Sequence, residues 1–545
     1  MKKTEFISQA INANNIQELT GTKTDLTSSN YQRLKEQLQL ANLIFPEIRF
    51  FYLLGQKSDG SIFIFIDSEE PGSPDESIPG EPYHDMTEYH SEVIASEEAQ
   101  VFGPIKDRWG NWISALVPII DLNTGSVEAF FEADIDANQL QQSARRAVIF
   151  PILVLLILII FLFISLHISL NRNYYAKELL IQKLLPYREI VFFLILGLLI
   201  TAFFSWLRFQ NVSLNQKETF NQMAEARSRN IINYFTNLEN IYLEGVKKFF
   251  EGSERVDRDE FIQYTSAFVK DTNVIAWGWI PEIKKEKVST FESEMQEMGI
   301  EDYHLWELDE NGEKTNIADR SVYYPIAYMF PYENKEDVYG YDHGSEPSRL
   351  KAIQEARESN LTTATDPISL VNPIIDEMGV LVYRFVYTEG GENQQVGFIR
   401  AILNMDSLMN AALGQQSVAS TMLYMDLFQI SDENEPLLLA SNSPEEYIEI
   451  HRENFIQDHP YSKFTVIQPI FAFGKVYSIV VHPGPEFMKT YPNSAAWSTP
   501  ILGIILTLMT ALIVNSFVSR RSTLEKMVLA RDRKSTRLNS SHRIR

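Results

Sequence analysis

Gly340-Tyr341-Asp342-His343-Gly344-Ser345-Glu346-Pro347 is the stretch from which the fold is read. Two glycines around an Asp-His pair mark a tight turn. A helix start follows: Ser345 as N-cap, Glu346 at the positive end of the helix dipole, and Pro347 in the first turn, where it is tolerated. Leu350, Ile353 and Arg357 then share one face of that helix. Working outward, Val274–Pro281 and Tyr323–Met329 read as strands, the first ended by Pro281 and the second before Pro331. Between them Lys284–Met298 is a polar helix with Val288, Phe291, Met295 and Met298 on one side. Downstream, Val380–Tyr387 and Val396–Leu403 read as strands. The region is therefore α+β.

Upstream of this region the pattern lengthens. Phe220, Ala224, Ile231, Phe235, Leu238, Tyr242, Val246 and Phe249 recur at steps of three and four, with Arg227 interrupting. They predict one stalk helix over residues 214–250, whose stripe packs on its own domain or on a partner subunit. Before it, and again near the end of the chain, lie three apolar runs, Ala147–Ser169, Ile190–Leu207 and Trp497–Val518. A hydrocarbon core of about 30 Å needs roughly twenty apolar helical residues, so each run is read as a transmembrane helix.

Lys and Arg in the short flanks set the orientation. Arg172, Lys177, Lys183 and Arg188 lie in the loop between the first two spans, and Arg520, Arg521, Lys526 and Arg531 follow the third. The opposite flanks hold Arg145, Arg146, Arg208, Lys217 and Lys489. The loop 170–189 and the C-terminus are thus expected inside. Residues 1–146 and 208–496 are expected outside, in the inner (plasma) membrane of a multi-pass protein. Met1-Lys-Lys-Thr-Glu-Phe-Ile begins no signal peptide. A region of this size rarely crosses unaided, so a further helix is expected upstream.

Among 545 residues, 45% are hydrophobic and 22% charged, with a net charge of −24. An anionic surface repels phosphate, which weighs against a nucleic-acid partner. It also weighs weakly against an anionic ligand, although the charge of a pocket can oppose the net charge. The absence of cysteine excludes disulfide scaffolds, thiolate metal sites and Cys nucleophiles. There is no catalytic constellation: no Gly-x-x-x-x-Gly-Lys-Ser, no Gly-Gly-Asp-Glu-Phe, no His-Glu-x-x-His, and no acidic pair after His542. His84 and His90 are too few for a metal site, and no cofactor is expected.

The N-terminal region, 1–146, also reads as α+β. Gln32–Leu40 has helical spacing. Phe50–Leu54 and Ser61–Ile66 are strands joined by Lys57-Ser58-Asp59-Gly60, a hairpin signal. Trp112–Ile119 and Ser126–Ala133 are two more, separated by a turn at 121–125, giving three or four antiparallel strands. Asp59-Gly60, Asp67-Ser68-Glu69, Pro79-Gly80-Glu81-Pro82-Tyr83 and Gly103–Asp121 together resemble the PAS-like or Cache-like sensor domains of bacterial sensor kinases and diguanylate cyclases. Asp107, Trp109 and Trp112 could line a ligand pocket there. The alternative is that the tryptophans are core and Asp107 caps a turn.

The second external region resembles the CHASE sensor domain more closely. The matching segments are Trp277–Ile283 with Phe291-Glu292, Tyr323–Pro331, Gly340–Ser359, Thr365–Leu370 and Leu381–Tyr387. Two departures from the pattern stand out: Asn360 where Gly is usual, and Arg384-Phe385 where the strand usually reads apolar-Pro. The resemblance implies two PAS-like lobes on the stalk helix, a ligand-binding distal lobe at 255–400 and a proximal lobe at 401–494. It also implies that Asp342 reads the polar edge of a ligand and that Thr365 is a second pocket position. Tyr324 and Gly340, in neighbouring motifs, complete the candidate set. Each has a bland alternative, for Asp342 a turn-stabilising role and for Thr365 a strand-end hydroxyl.

The combined expectation is the sensory half of a bacterial transmembrane receptor, working as a homodimer on a small extracytoplasmic ligand. Its output is expected to be a histidine kinase, with a diguanylate cyclase or phosphodiesterase as second reading. A membrane-anchored binding protein without output is the third. Residues 519–531 resemble the start of a cytoplasmic signalling helix. Asp532–Arg545, with five Lys or Arg and no apolar periodicity, reads as a non-native tail, the alternative being a basic segment attracted to anionic lipid.

Overall fold

The computed structural model describes residues 1–83, 88–106, 109–120, 125–170, 187–331, 338–369, 378–388, 394–413, 422–432, 435–444 and 464–542. The chain divides into two units, one of residues 1–137 with 221–487 and one of 138–220 with 488–545.

In the first unit, residues 1–137 form a five-stranded antiparallel sheet. Its strands are β1 (Phe50–Gln56), β2 (Ile62–Asp67), β3 (Gln100–Lys106), β4 (Asn111–Ile120) and β5 (Val127–Asp136), in the order β2-β1-β5-β4-β3. The Asp59-Gly60 hairpin forms as expected: Gly60 takes φ +84°, and the Asp59 carboxylate accepts from the Ser61 N–H at 2.9 Å. Strand β3 and helix Glu88–Ser96 were not anticipated. The expected turn at 121–125 lies, but for Gly125, outside the described residues, as do His84 and Asp107. One face of the sheet packs Phe50, Tyr52, Leu54, Trp112, Leu116 and Phe130 under Val93 of that helix. Helices Lys2–Ala10 and Ser29–Ile44 cover the other.

The stalk does not begin at residue 214. Arg188–Asn237 is a single helix that includes the apolar run Ile190–Leu207. Leu238–Leu243 then winds as a π-helix, and Glu244–Glu251 returns to α. A π-turn inserts one residue into the helical register. The buried stripe accordingly runs Ala224, Ser228, Ile231, Phe235, Leu238, then slips by one to Leu243, Val246 and Phe250. Arg227 does not interrupt it, because Ser228 is the inward position.

The distal lobe is a six-stranded sheet. Strands β6 (Ala276–Pro281), β7 (Ile283–Lys284), β8 (Trp306–Leu308), β9 (Lys314–Asn316), β10 (Val322–Tyr323), β11 (Tyr328–Phe330), β12 (Thr363–Ala364), β13 (Ile368–Ser369), β14 (Met378–Tyr387) and β15 (Val396–Leu403) appear in chain order. The sheet runs β11-β6-β15-β14-β12, with β13 also on β14, while β7 pairs β10 and β8 pairs β9. The expected strand Tyr323–Met329 is therefore two short strands in different sheets, parted at Pro325, which lacks an N–H for the ladder. One sheet face meets the stalk: Phe250 lies 4.4 Å from Trp279, ring to ring. The expected helix at 284–298 is a 3-10 turn followed by Val288–Glu297.

The proximal lobe has four strands, β16 (Leu423–Ile430), β17 (Leu437–Ser441), β18 (Val466–Ala472) and β19 (Lys475–Pro483), ordered β17-β16-β19-β18. Both of its faces are covered. Tyr477 packs on Phe235 of the stalk, with 5.2 Å between centroids. Phe428, Ile430, Val476 and Val480 join Ile7, Ile11, Leu34 and Leu38 in one hydrophobic cluster. The N-terminal domain and the proximal lobe thus share a core. Arg33 reaches further and donates to the Thr362 carbonyl (2.8 Å) and the Thr363 hydroxyl (3.0 Å) of the distal lobe.

Two helices among the described residues, Glu189–Glu251 and Pro485–Asp532, contain stretches long and apolar enough to cross a membrane. The apolar stretch Ile149–Ile164 sits in helix Ala137–Leu170. Gly197 and Thr201 on one helix meet Thr507 and Gly503 on the other, and a Cβ on either glycine would collide with the facing threonine. Small residues four apart let helix backbones approach closely. The last helix continues without a break from Ser498 to His542.

Candidate ligand-binding site

The face of the distal sheet away from the stalk is covered by the chain from Tyr339 to Ser359. Residues 339–343 are bonded on two sides. Gly340 donates to the Ile326 carbonyl (3.1 Å) and accepts from the Trp306 N–H (3.0 Å); the His343 N–H reaches the Tyr324 carbonyl (2.9 Å). Gly340 has φ +79°, and a Cβ there would collide with the His304 carbonyl, so glycine is required for this close approach.

Asp342 is fully buried. Its Oδ1 accepts from the N–H groups of Tyr324 (2.7 Å) and Gly344 (2.9 Å), and its Oδ2 from Arg320 (2.8 Å). Arg320 also binds Glu307 at 2.6 Å. Burial pushes the Asp342 carboxyl above its ordinary range, against these donors and the Arg320 charge. The carboxylate therefore ties the turn to the strand before it. Tyr324 is its direct neighbour, and the Tyr324 ring lies 5.8 Å from that of Phe398 on the sheet. Asp342, Tyr324 and Gly340 are thus brought together. Thr365 stands at the end of β12, where its hydroxyl accepts from the Leu381 N–H at 3.1 Å. Trp109 belongs to the N-terminal domain, 6.1 Å from the Phe50 ring.

The helix after the turn is Pro347–Ser359, with Glu346 rather than Ser345 as N-cap: the Glu346 carboxylate accepts from Ser348 (3.0 Å) and Arg349 (2.8 Å). Pro347 takes the first helical position, which fixes the cap one residue before it. The inward face is Arg349, Ala352, Ile353 and Ala356, not Leu350 and Arg357; Arg357 pairs Glu282 at 2.7 Å. The two departures in the motifs answer each other. Asn360 ends the helix in the left-handed conformation (φ +52°), the position a glycine favours. Arg384 donates to its carbonyl and, at 2.9 Å, to Glu244 of the stalk.

Sequence reading missed the polar row beneath the turn. Register aligns Met329, Gly278, Arg400 and Tyr383 across four strands. Arg400 donates from Nη1 to His343 Nε2 (3.1 Å) and from Nη2 to Met329 Sδ (3.1 Å). His343 Nδ1 lies 2.6 Å from the Tyr383 hydroxyl. All four side chains are buried. Burial, together with Arg400 and Arg349, drives the His343 pKa well below its ordinary value, so the imidazole is neutral. Burial also brings the Arg400 guanidinium down to about 10. A lone Arg within the apolar strand Val396–Leu403 was the available signal. Among the described residues no group of His, Asp or Glu could hold a metal.

Residues 254–439 match the CHASE domain family. No curated protein matches the chain. Among solved structures it is similar to the ligand-binding domain of the Pseudomonas aeruginosa amino acid chemoreceptor PctC in complex with GABA, at 14% identity over 48% of this chain and 98% of that one, with a TM-score of 0.28. The ligand-binding domain of the Pseudomonas fluorescens chemoreceptor CtaA in complex with L-serine gives 14%, 50%, 98% and 0.28. That of the Campylobacter jejuni chemoreceptor Tlp3 in complex with L-valine gives 9%, 53%, 98% and 0.27. The turn, helix and strands built around Asp342 thus lie within the segment, residues 254–439, that matches the CHASE domain family.

Proposed function

We propose that this chain is the sensory part of a multi-pass transmembrane receptor, in which a small extracytoplasmic molecule binds the distal lobe and the helices entering the membrane relay its presence. The observation that carries this reading is the continuity of Arg188–Asn237, one helix that includes the apolar run and then lies against the sensor sheets. A ligand that favours one lobe arrangement can shift that helix only by its differential affinity for two states. Asp342 and Tyr324 hold the turn over the site, and Thr365 borders it. The stalk stripe is spent on the chain's own lobes, so a homodimer would use the opposite, exposed face. The output is taken to be a histidine kinase, as the sequence resemblance implies.

A membrane location outside the cell for both sensor regions is supported by their shared core. Domains that pack together lie on one side of the bilayer, and the two apolar runs between them then form an inward hairpin. The test uses the full chain in nanodiscs with Ser522→Cys, a unique thiol in a cysteine-free protein. Disulfide crosslinking between copies is followed while amino acids, organic acids, purines and sugars are added. The reading expects crosslinked dimer and a rate that changes with one class. A monomer, or a rate indifferent to molecules that bind, would support the binding-protein reading instead.

A further inference from the structure

We propose that Arg400 and Tyr383 form an anion anchor in the distal lobe and that the sensed molecule carries a carboxylate. This rests on the sensor reading above and narrows its ligand class.

The argument starts from an uncompensated charge. Arg400 is 3% exposed, and its partners are an imidazole nitrogen and a thioether sulfur. Its Nε–H has no acceptor among the described residues. A buried guanidinium without a carboxylate costs far more than one with its counter-ion, because desolvation is not offset. The sheet is nonetheless cut to receive it. Gly278 faces it in the register, and a Cβ there would lie 3.0 Å from Nη2 and 3.1 Å from Nε.

The neighbours are polarised the same way. His343 Nε2 must accept from Arg400, since a guanidinium only donates. The neutral imidazole then carries its proton on Nδ1 and donates to the Tyr383 oxygen. That leaves the Tyr383 O–H to donate elsewhere. Arg349, also buried, adds positive potential to both His343 and Arg400. Arg400 Nε–H and Tyr383 O–H belong to cross-strand partners, and a carboxylate can accept from both. The site is thus cationic within a chain of net charge −24, the reverse of what the overall charge leads one to expect.

The experiment measures thermal shift and calorimetric binding on the full chain in nanodiscs. Probes are acetate, propionate, succinate and benzoate, each against its neutral amide, with inorganic phosphate and neutral sugars alongside. At least one carboxylate is expected to bind, its amide at least tenfold more weakly. Arg400→Met should lose the carboxylate about 100-fold and keep or raise the melting temperature, since an apolar isostere removes a buried unpaired charge. Tyr383→Phe should weaken it about fivefold and carries the test if Arg400→Met does not fold. Equal binding of acid and amide, or carboxylate binding unchanged in both variants, overturns the anchor. If sugars or amides bind instead, the sensor reading survives and only the carboxylate falls. If no class binds, the sensor reading falls as well.

Discussion

At the residue scale, His343 shows how one side chain is held in a single charge state. Arg400, Arg349, Tyr383 and Tyr341 face it, and none is an acid. Its folded pKa lies well below the ordinary value, so as pH falls the unfolded chain takes up a proton that the folded chain refuses. The stability this neutral imidazole contributes is full above about pH 6.5 and is lost as pH falls below it, at about 1.4 kcal/mol per pH unit. His343→Gln, which keeps an acceptor for Arg400, should flatten that part of the profile. Melting temperatures of both proteins between pH 7 and pH 5 check this; parallel curves would contradict it. The sequence offers Asp342 as a ligand contact or as a turn residue; in the structure its Oδ1 accepts from the Tyr324 and Gly344 N–H groups and its Oδ2 from Arg320. Arg400 was not legible, because only register shows that a glycine stands opposite it.

At the scale of elements, the helix Pro347–Ser359 and its Asn360 stop give a clean test. Asn360 sits at φ +52°, where a Cβ without a local hydrogen bond is unfavourable. Asn360→Gly should therefore leave stability within about 0.5 kcal/mol, whereas Asn360→Ala should lose about 1 kcal/mol. Denaturant titration of the purified chain separates the two; equal losses would show that the Asn side chain, which Lys247 approaches at 3.5 Å, matters more than the backbone. Most strands and helices were legible from apolar periodicity. The π-turn at Leu238–Leu243 was not, because its inserted residue leaves the spacing within the tolerance of a three-and-four pattern. Pro325 lies inside Tyr323–Met329, which reads as one strand because a proline between apolar residues also suits an edge strand.

At the scale of the sensor unit, the N-terminal domain is fixed to the second region rather than tethered beside it. Phe428, Ile430, Val476 and Val480 present a proximal sheet face to helices Lys2–Ala10 and Ser29–Ile44. Arg33 sits at a three-way seam. It binds Thr362 and Thr363, and its charge opposes Glu239, whose carboxyl burial pushes up and which accepts from the Phe473 N–H at 3.3 Å. Arg33→Met should cost about 2 kcal/mol, and adding Glu239→Gln should restore part of it. Additive losses in that double-mutant cycle would deny the coupling. The docking had one sequence signal. Val476–Val481 is apolar on both strand faces, with only Ser478 between, which calls for a covering layer on each side. Nothing in the sequence names the layer, since long-range packing leaves no local mark.

The central claim is the proposal that residues 1–137 and 221–487, which share a core, both face outward. The cysteine-free sequence allows single thiols at exposed sites: Ser58→Cys in the N-terminal domain, Glu310→Cys in the distal lobe and Ser522→Cys after the last span. Intact cells producing each variant are treated with a membrane-impermeant maleimide. The account predicts labelling at positions 58 and 310 together and protection at 522 until the membrane is permeabilised. Labelling of 310 without 58, or of 522 in intact cells, would contradict it.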